Sequence, residues 1–313
     1  MSTIFNFLEE HKLNSKHFME KVEFYIPNFL PRGLITMIYA DGGQGKSYLS
    51  LCLAKRLLAM GVERLIYLDF DNPLSVLKTR GVDTLIKMHK NLNYIQRSSL
   101  DLQPFDLLLK LEENGVSRAY NNCVFIVDSI RNFVDIGNDA KAMRLMNAFM
   151  RIRDAGATII LLHHANKDGR NYQGSNNIRN SLDCMYSLEK HLSLLGEINI
   201  TLEVIKERAG VKDIGFTLYT STLEMVELDM RIAKMEDKDR VFVDKALKIL
   251  NKPMNKTQFL KRLGYEKDDK RAREMIERFE GVFWDNKKQS NICTYYPRTT
   301  VTTSPIAGSH EIA

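Results

Sequence analysis

Cysteine is scarce in this sequence, and no apolar run in it reaches the length that crosses a membrane. The four cysteines among the 313 residues lie far apart, and three of them sit in apolar stretches. Their spacing forms neither a disulfide framework nor a metal-binding motif, so a reducing cytosol is the expected compartment. The N-terminus also lacks the pattern of a signal peptide. We therefore expect a cytoplasmic protein without membrane contacts, and neither a secreted disulfide scaffold nor a membrane protein.

Excess acidic charge is also missing, and the net charge of +6 is concentrated in one part of the chain. Residues 239–298 hold 15 Lys and Arg against 9 Asp and Glu, so the remainder of the chain is neutral. A neutral body with a basic C-terminal part suggests nucleic acid as the partner of that part. A solvated lysine-rich surface is the alternative.

A glycine-rich stretch, ADGGQGKS, lies at residues 40–47 between an apolar run and a helical pattern. Strand, glycine-rich turn and helix are the context of a phosphate-binding loop, in which backbone N–H groups and the helix N-terminus cradle phosphate oxygens. Lys46 would reach the β- and γ-phosphates of ATP, and Ser47 would ligate Mg²⁺. Ala40 stands where the motif usually has its first glycine. The predicted nucleotide-binding residues are Gly42, Gly43, Gln44, Gly45, Lys46, Ser47 and Tyr48.

Carboxylates end the next two predicted buried strands. Residues 65–68 lead into the segment DFDNP, and residues 123–127 lead into Asp128. Side chains at the carboxyl ends of parallel strands face the crevice where ligands bind. Asp128 is predicted to hold Mg²⁺ as a Walker B carboxylate, and either Asp71 or Asp69 to be the general base for a water that attacks the γ-phosphate. Ordinary turn chemistry is the alternative for DFDNP.

Polar and basic residues follow the strand predicted over residues 158–162. His163 and His164 end it, where a polar side chain can contact the γ-phosphate; a histidine pair without a role is the alternative. Residues 167–180 predict a mobile loop with the cations Lys167, Arg170 and Arg179, suited to a sequence-independent grip on the phosphates of single-stranded DNA. An ordinary surface loop is the alternative, and residues 131–144 are a second candidate for the DNA loop.

Four more strands are predicted over residues 183–188, 198–205, 215–220 and 223–228, of which the last three extend the sheet in antiparallel fashion. Lys206 and Arg208 lie at the first turn of this extension, where exposed cations on edge strands are ordinary.

The basic C-terminal part has the pattern of three helices and a β-hairpin, which is typical of a winged helix. Arg271 and Arg273 lie on the third predicted helix and are the candidate DNA contacts, with a protein-docking winged helix as the alternative. The predicted organisation is an N-terminal arm (1–30), an ATPase domain (31–235), a winged-helix domain (239–298) and a disordered tail (299–313).

The order of these motifs resembles the RecA-type ATPase core of RepA-like and DnaB-like hexameric replicative helicases, over roughly residues 25–230. ADGGQGKS matches Walker A, CVFIVDSIRNF matches Walker B, and LDFDNPLSVLKTR, TIILLHHANKDGRNYQGSNNIRNSLD and VIKERAG match the segments between and after them. The resemblance implies an α/β fold, namely a RecA-like P-loop NTPase core with a mostly parallel twisted sheet. It does not account for the C-terminal winged helix.

The same resemblance implies roles for individual residues. Asp71 falls where the family has its catalytic Glu, which is one methylene longer. His163 or His164 matches the γ-phosphate sensor, and Lys206 and Arg208 match the pair that reaches the nucleotide of a neighbouring subunit.

The expected function is that of an ATP- and Mg²⁺-dependent DNA helicase or translocase that forms a homo-oligomeric ring, most simply a hexamer, on single-stranded DNA, with duplex DNA bound by the winged helix. A DNA-binding ATPase switch and a RecA-like recombination mediator are the alternatives.

Overall fold

The computed structural model describes residues 3–13, 21–116, 118–166, 171–191, 193–289 and 292–298. None of the helices in these ranges is both long and apolar enough to span a bilayer. The helices are α1 (Thr3–His11), α2 (Lys46–Ala59), α3 (Leu74–Thr79), α4 (Val82–Met88), α5 (Pro104–Glu113), α6 (Asp139–Asp154), α7 (Asn176–Ser181), α8 (Met230–Ala233), α9 (Asp237–Ile249), α10 (Lys256–Leu263) and α11 (Lys270–Arg278). The strands are β1 (Phe24–Ile26), β2 (Leu30–Pro31), β3 (Ile35–Ala40), β4 (Arg64–Asp69), β5 (Leu92–Gln96), β6 (Cys123–Asp128), β7 (Thr158–His164), β8 (Cys184–His191), β9 (Glu197–Lys206), β10 (Ile214–Tyr219), β11 (Glu224–Leu228), β12 (Met254–Asn255), β13 (Trp284–Gln289) and β14 (Ile292–Pro297).

Nine strands form one sheet in the order β11-β10-β9-β8-β3-β7-β6-β4-β5. The five pairings from β8 to β5 are parallel, and the three from β8 to β11 are antiparallel. Parallel strands are buried on both faces, which explains why β3, β6 and β7 read as continuous apolar runs. The predicted strands and the antiparallel extension are confirmed, and the carboxyl ends of β3, β4, β6 and β7 meet at one edge of the sheet.

Helices cover both faces of this sheet. On one face the buried side of α2, with Leu49, Leu53 and Leu57, packs in the same cluster as Ile160 and Leu162 of β7. On the other face α6 packs with the alternate residues of the same strand. Because successive strand side chains point to opposite faces, each strand contributes to both cores. Part of the predicted N-terminal arm also belongs to the α2 cluster, namely Tyr25, Ile26, Phe29 and Leu30.

The two segments predicted as DNA loops contain helix. Residues 176–181 form α7, capped at its N-terminus by the Ser175 hydroxyl, so the predicted loop ends earlier than residue 180. Residues 139–144 belong to α6, which the Asn138 side chain caps, so only the first part of the second candidate segment is a loop. Lys167 and Arg170 lie outside the described residues.

Residues beyond α8 build a second, smaller core. Helices α9, α10 and α11 pack against a three-stranded antiparallel sheet of order β12-β14-β13. Trp284 is fully buried at the centre and donates from Nε1 to the carbonyl oxygen of Ile276 at 2.9 Å. Helix α8 joins the two cores, because it packs on β9 and β10 while Arg231 donates to the carbonyl oxygen of Glu280 at 2.7 Å. The predicted tail, residues 299–313, lies outside the described residues.

Candidate functional site

The glycine-rich stretch forms the turn between β3 and α2. Gly43 and Gly45 have φ angles of +76° and +95°, which L side chains rarely adopt, so the sequence needs glycine at both positions. The Gln44 side chain accepts from the backbone N–H of Lys190 at 3.0 Å and thereby ties the loop to β8. The helix begins at Lys46 directly after Gly45, so the backbone N–H groups of residues 46–48 precede the first helical hydrogen bond and lie next to the loop. This geometry suits the binding of phosphate.

The ammonium group of Lys46 lies inside the loop, and the residue is only 7% exposed. It donates to the carbonyl oxygens of Ala40 at 2.6 Å and Asp41 at 2.7 Å. Burial lowers the pKa of Lys46, and the nearby carboxylates, Asp128 first among them, oppose that shift. A buried cation held by two neutral carbonyl groups would gain a stronger partner in a phosphate oxygen.

Ser47 and Asp128 meet across the loop. The Ser47 hydroxyl donates to Asp128 Oδ2 at 3.0 Å, and Asp128 is 2% exposed. Burial raises the pKa of Asp128 to about 6, with a further contribution from Asp69. A hydroxyl and one carboxylate fit Mg²⁺, which prefers oxygen ligands and takes its other ligands from water and substrate phosphates. Within the described ranges no cluster of three or more His, Cys, Asp or Glu could hold a metal ion, so a magnesium site would depend on this pair.

Asp69 serves the turn that follows β4. Its Oδ1 accepts from the backbone N–H groups of Asp71 at 3.1 Å and Asn72 at 2.9 Å, and its Oδ2 accepts from the Tyr94 hydroxyl at 2.7 Å. Asp69 is 1% exposed. Because both oxygens are engaged and buried, turn chemistry accounts for Asp69, which leaves Asp71 as the candidate base.

Asp71 contacts Arg131 and His164, two residues that line an open pocket, and its side chain is 28% exposed. Its Oδ1 accepts from Arg131 at 3.1 Å, and its Oδ2 lies 3.7 Å from His164 Nε2. His164, Arg131 and Asn132 hold the pKa of the Asp71 carboxyl well below its usual range, against the effect of burial. Asp71 is therefore ionised throughout the neutral range.

The two histidines of β7 face opposite sides of the sheet. His164 shares the face of Ile160 and Leu162 and therefore lies with α2, Asp71 and Asp128. His163 is fully buried on the other face, where its Nε2 lies 2.5 Å from the carbonyl oxygen of Gln173. Burial lowers the pKa of His163 to about 4, so the ring is neutral and Nε2 donates. The structure thus selects His164 as the candidate sensor, and His163 does not reach the site.

Three residues that sequence reasoning left without a role complete the site. The Asn72 side-chain amide lies between the two buried carboxylates, 3.2 Å from Asp69 Oδ2 and 3.3 Å from Asp128 Oδ2. Arg80 donates to Asn72 Oδ1 at 3.0 Å, and its guanidinium lies 5.4 Å from the centre of the Tyr48 ring. Arg131 follows β6 and contacts Asp71. The contacts of Asn72 with Asp128 and of Arg131 with Asp71 join segments that are distant along the chain, so no local pattern in the sequence marked them.

A pocket of about 340 Å³ lies at the carboxyl ends of the strands, with Arg131 and His164 in its wall. It is lined by Asp41, Gly42, Arg131, His164, Ala165, Asn166 and Gln173. The pocket thus joins the phosphate-binding loop to the end of β7.

Lys206 and Arg208 lie at the amino ends of the parallel strands, away from the pocket at their carboxyl ends. Lys206 is the register partner of Met185 at the start of β8. Strand β8 runs parallel to β3, where Met185 pairs with Met37. The Lys206 ammonium donates to the carbonyl oxygens of Arg179 at 2.6 Å and Asn180 at 3.0 Å. Arg208, with its side chain 55% exposed, lies 3.7 Å from the buried carboxylate of Asp183. Arg179 is exposed in the last turn of α7, and its carbonyl oxygen accepts from Lys206. It therefore lies near this pair and away from the pocket.

Arg271 and Arg273 are exposed on α11, in the smaller core. The same helix has Glu274 and Glu277 on its solvent side, and Arg278 is paired with Asp239 at 3.0 Å. The exposed surface of α11 is therefore basic at its N-terminal end and mixed further along.

The first half of the chain matches the model of a known family. That model, described as an AAA domain, covers residues 5–170, which is more than half of the sequence. The chain belongs to the AAA domain family. Together with the sheet order and the glycine-rich loop, membership confirms the predicted α/β P-loop ATPase core of RecA-like type and implies nucleotide binding.

Among solved structures, the flagellar accessory protein FlaH from Methanocaldococcus jannaschii is similar to this AAA domain protein, with 19% sequence identity and a TM-score of 0.44. The match covers 64% of this chain and 91% of that chain. Likeness at this level does not bear on activity. No curated protein matches the sequence significantly.

Proposed function

We propose that this protein is an oligomeric, ATP-dependent DNA helicase or translocase of the RepA-like type, which hydrolyses ATP between subunits and moves on single-stranded DNA. The ATPase part rests on the family and on the loop. The motor part rests chiefly on one observation. The phosphate-binding loop and the Lys206–Arg208 pair lie at opposite ends of the strands of one sheet.

The distance between these two features favours action between neighbouring chains over action within one chain. Lys206 is level with the start of β3, whereas the loop follows the end of β3, so strand geometry separates them by roughly 10 Å or more. An Arg that stabilises the charge of the γ-phosphoryl group in the transition state must touch it. We therefore propose that Arg208 contacts the nucleotide of another copy.

Contacts between opposite edges of identical subunits are heterologous, and they produce closed rings or open filaments. We favour a ring, most simply a hexamer, because the motif order resembles that of ring helicases. Arg179 would add to the positive charge that Lys206 and Arg208 present to the neighbour.

Within one subunit, the described residues supply the remaining chemistry. Lys46 binds the β- and γ-phosphates, Asp71 orients the attacking water, and His164 contacts the γ-phosphate. Mg²⁺, held by Ser47 and Asp128, would neutralise charge on the phosphates. Asn72 and Arg80 position Asp128 through the 3.3 Å and 3.0 Å hydrogen bonds.

The smaller core supports a DNA-binding role. Three helices and a hairpin in this order are typical of a winged helix, and we propose that Arg271 and Arg273 contact duplex DNA there. Lys167 and Arg170 are proposed to contact single-stranded DNA.

Complementation between two inactive variants tests the shared site. Lys46→Ala and Arg208→Ala are each expected to lose ATP hydrolysis. In an equal mixture, about one quarter of heterologous interfaces pair an intact loop with an intact Arg208, so activity should recover to about that fraction of wild type. Arg208→Ala should fold normally, because Asp183 keeps its 3.1 Å contact with Arg153.

The double variant Lys46→Ala/Arg208→Ala is the matched control. Mixed with Arg208→Ala it offers no complete interface, so activity should stay at background. Full activity of Arg208→Ala by itself would contradict the shared site. A monomer that hydrolyses ATP rapidly would contradict it as well.

Two other functions fit the same core and are separated by DNA assays. A DNA-binding ATPase switch would bind a specific duplex sequence without unwinding forked DNA. A recombination mediator would form filaments in electron micrographs, where we expect rings.

A further inference from the structure

The ion pair between Arg131 and Asp71 lies at the wall of the nucleotide pocket. Arg131 is part of the short helical turn at Ile130–Asn132, which follows the Walker B strand. Its guanidinium donates to Asp71 Oδ1 at 3.1 Å, and the same residue lines the pocket beside Asp41, Gly42 and His164. Arg131 therefore contacts the candidate base and borders the space that phosphates would enter.

The two oxygens of Asp71 are both faced by protein groups. Oδ1 accepts from Arg131 and lies 3.5 Å from Asn132 Nδ2, and Oδ2 faces His164 at 3.7 Å. A carboxylate held by a guanidinium has fewer free lone pairs with which to bind a water. Asp71 is thus restrained in the observed arrangement.

A phosphate group can compete for the same guanidinium. Arg131 is 45% exposed at its side chain, so it can change partner without leaving a buried core. Guanidinium binds phosphate oxygens in the same bidentate manner as carboxylates, and a terminal phosphate carries more negative charge than one carboxylate.

We propose that Arg131 exchanges Asp71 for the γ-phosphate of bound ATP, so that nucleotide triphosphate releases Asp71 to orient the attacking water. This proposal rests on the ATPase function proposed above and deepens it. Arg131 then binds the γ-phosphate and positions Asp71 as well. ADP, which lacks the γ-phosphate, leaves the Arg131–Asp71 pair in place, and the site discriminates between the two nucleotides.

Two opposite substitutions in the full-length protein test the exchange. The readouts are the dissociation constants of ADP and of a non-hydrolysable ATP analogue, with kcat and KM for ATP. Arg131→Gln should weaken binding of the analogue about tenfold and change ADP binding less than about twofold. Arg131→Lys should restore part of the lost affinity.

Asp71→Asn should act in the opposite direction on binding. It frees Arg131 from its ion pair, so the analogue should bind several-fold more tightly relative to ADP, while hydrolysis is lost. Removal of the Asp71 charge alone would tighten binding whether or not Arg131 is present, so the double variant decides between the two causes. In the double variant Asp71→Asn/Arg131→Gln the gain should disappear, because it depends on Arg131.

Arg151→Gln is the matched control. Arg151 of α6 forms an ion pair with Glu112 of α5 at 3.3 Å. Loss of the Arg151 charge should leave both nucleotide affinities unchanged. If the wild type hydrolyses ATP but Arg131→Gln keeps the wild-type ratio of the two affinities, the exchange is wrong and the ATPase function stands. If the wild type binds neither nucleotide, the ATPase function itself fails.

Discussion

The side-chain amide of Asn72 donates to Asp128 Oδ2 at 3.3 Å, the same oxygen that accepts from the Ser47 hydroxyl. Asn72 thus links the turn after β4 to the Walker B carboxylate. The link holds Asp128 in place with a neutral group, which adds no further charge beside two buried carboxylates.

Replacing Asn72 by Ala should weaken this arrangement. Asp69 and Asp128 each lose one donor, and a hydrogen bond to a charged group contributes about 1.5–3 kcal/mol to the free energy of unfolding. Hydrolysis should also need a higher Mg²⁺ concentration, since Asp128 is less well positioned. Urea unfolding and a Mg²⁺ titration of the ATPase rate measure the two effects. Asn93→Ala, at an exposed position of β5, is the control and should change neither.

Asp128→Asn should stabilise the protein at neutral pH while it abolishes hydrolysis. Burial raises the pKa of Asp128 from 3.8 to about 6, so between these values the native state holds a proton that the unfolded chain releases. Stability therefore falls as the pH rises through this window, and removal of the charge should add about 1–3 kcal/mol at pH 7.5. Asn can keep both hydrogen bonds, because Ser47 and Asn72 donate to one oxygen.

Below neutral pH, the stability of both proteins also depends on His163. Its pKa is lowered by burial to about 4, so its contribution to stability is lost as the pH falls from 6.5 toward 4. In the wild type the Asp128 contribution has the opposite sign and offsets this loss. Asp128→Asn should therefore lose stability with acid more steeply than the wild type. Urea unfolding at several pH values measures this, with Asp106→Asn as an exposed control; a variant less stable than wild type at pH 7.5 would refute the prediction.

Substitution of the two neighbouring histidines should separate catalysis from stability. His164→Ala should lower kcat about 10- to 100-fold with little change in unfolding, because the side chain faces Asp71 in the pocket. His163→Leu should instead cost about 1–3 kcal/mol, because the carbonyl of Gln173 loses its donor. Steady-state kinetics and urea unfolding of both variants measure the two effects. Equal losses of kcat in the two variants would count against the assignment of His164.

Arg271 and Arg273 should contribute to DNA affinity through phosphate contacts. Each Ala substitution should weaken duplex binding at all sequences and reduce the slope of log affinity against log salt by about 1. Fluorescence anisotropy at several salt concentrations measures the slope. Lys110→Ala, on the surface of α5 in the larger core, should leave it unchanged. An unchanged slope for both Arg variants would favour protein docking by the smaller core.

Much of the larger core was predictable from local pattern. The glycine-rich loop, the strand before it and the helix after it follow from the demands of a left-handed backbone at Gly43 and Gly45 and from apolar spacing. Residues 139–154 carry a helical pattern, and α6 has these bounds in the structure. The helix α7 was missed because five of its six residues are polar. It is stabilised by the Ser175 cap and by packing on α6.

The amino-acid sequence by itself determined the class of the protein, because a phosphate-binding loop needs particular residue types at adjacent positions. Tertiary structure decided which side chains share the site. Buried parallel strands are apolar on both faces, so no pattern along β7 tells which histidine faces α2. Likewise, Asn72 and Arg131 meet Asp128 and Asp71 only when strand order brings the ends of β4 and β6 together. Only the sheet topology shows that Lys206 and Arg208 lie far from the loop. Because β9 runs antiparallel to β8, its last residues lie beside the first residues of β8.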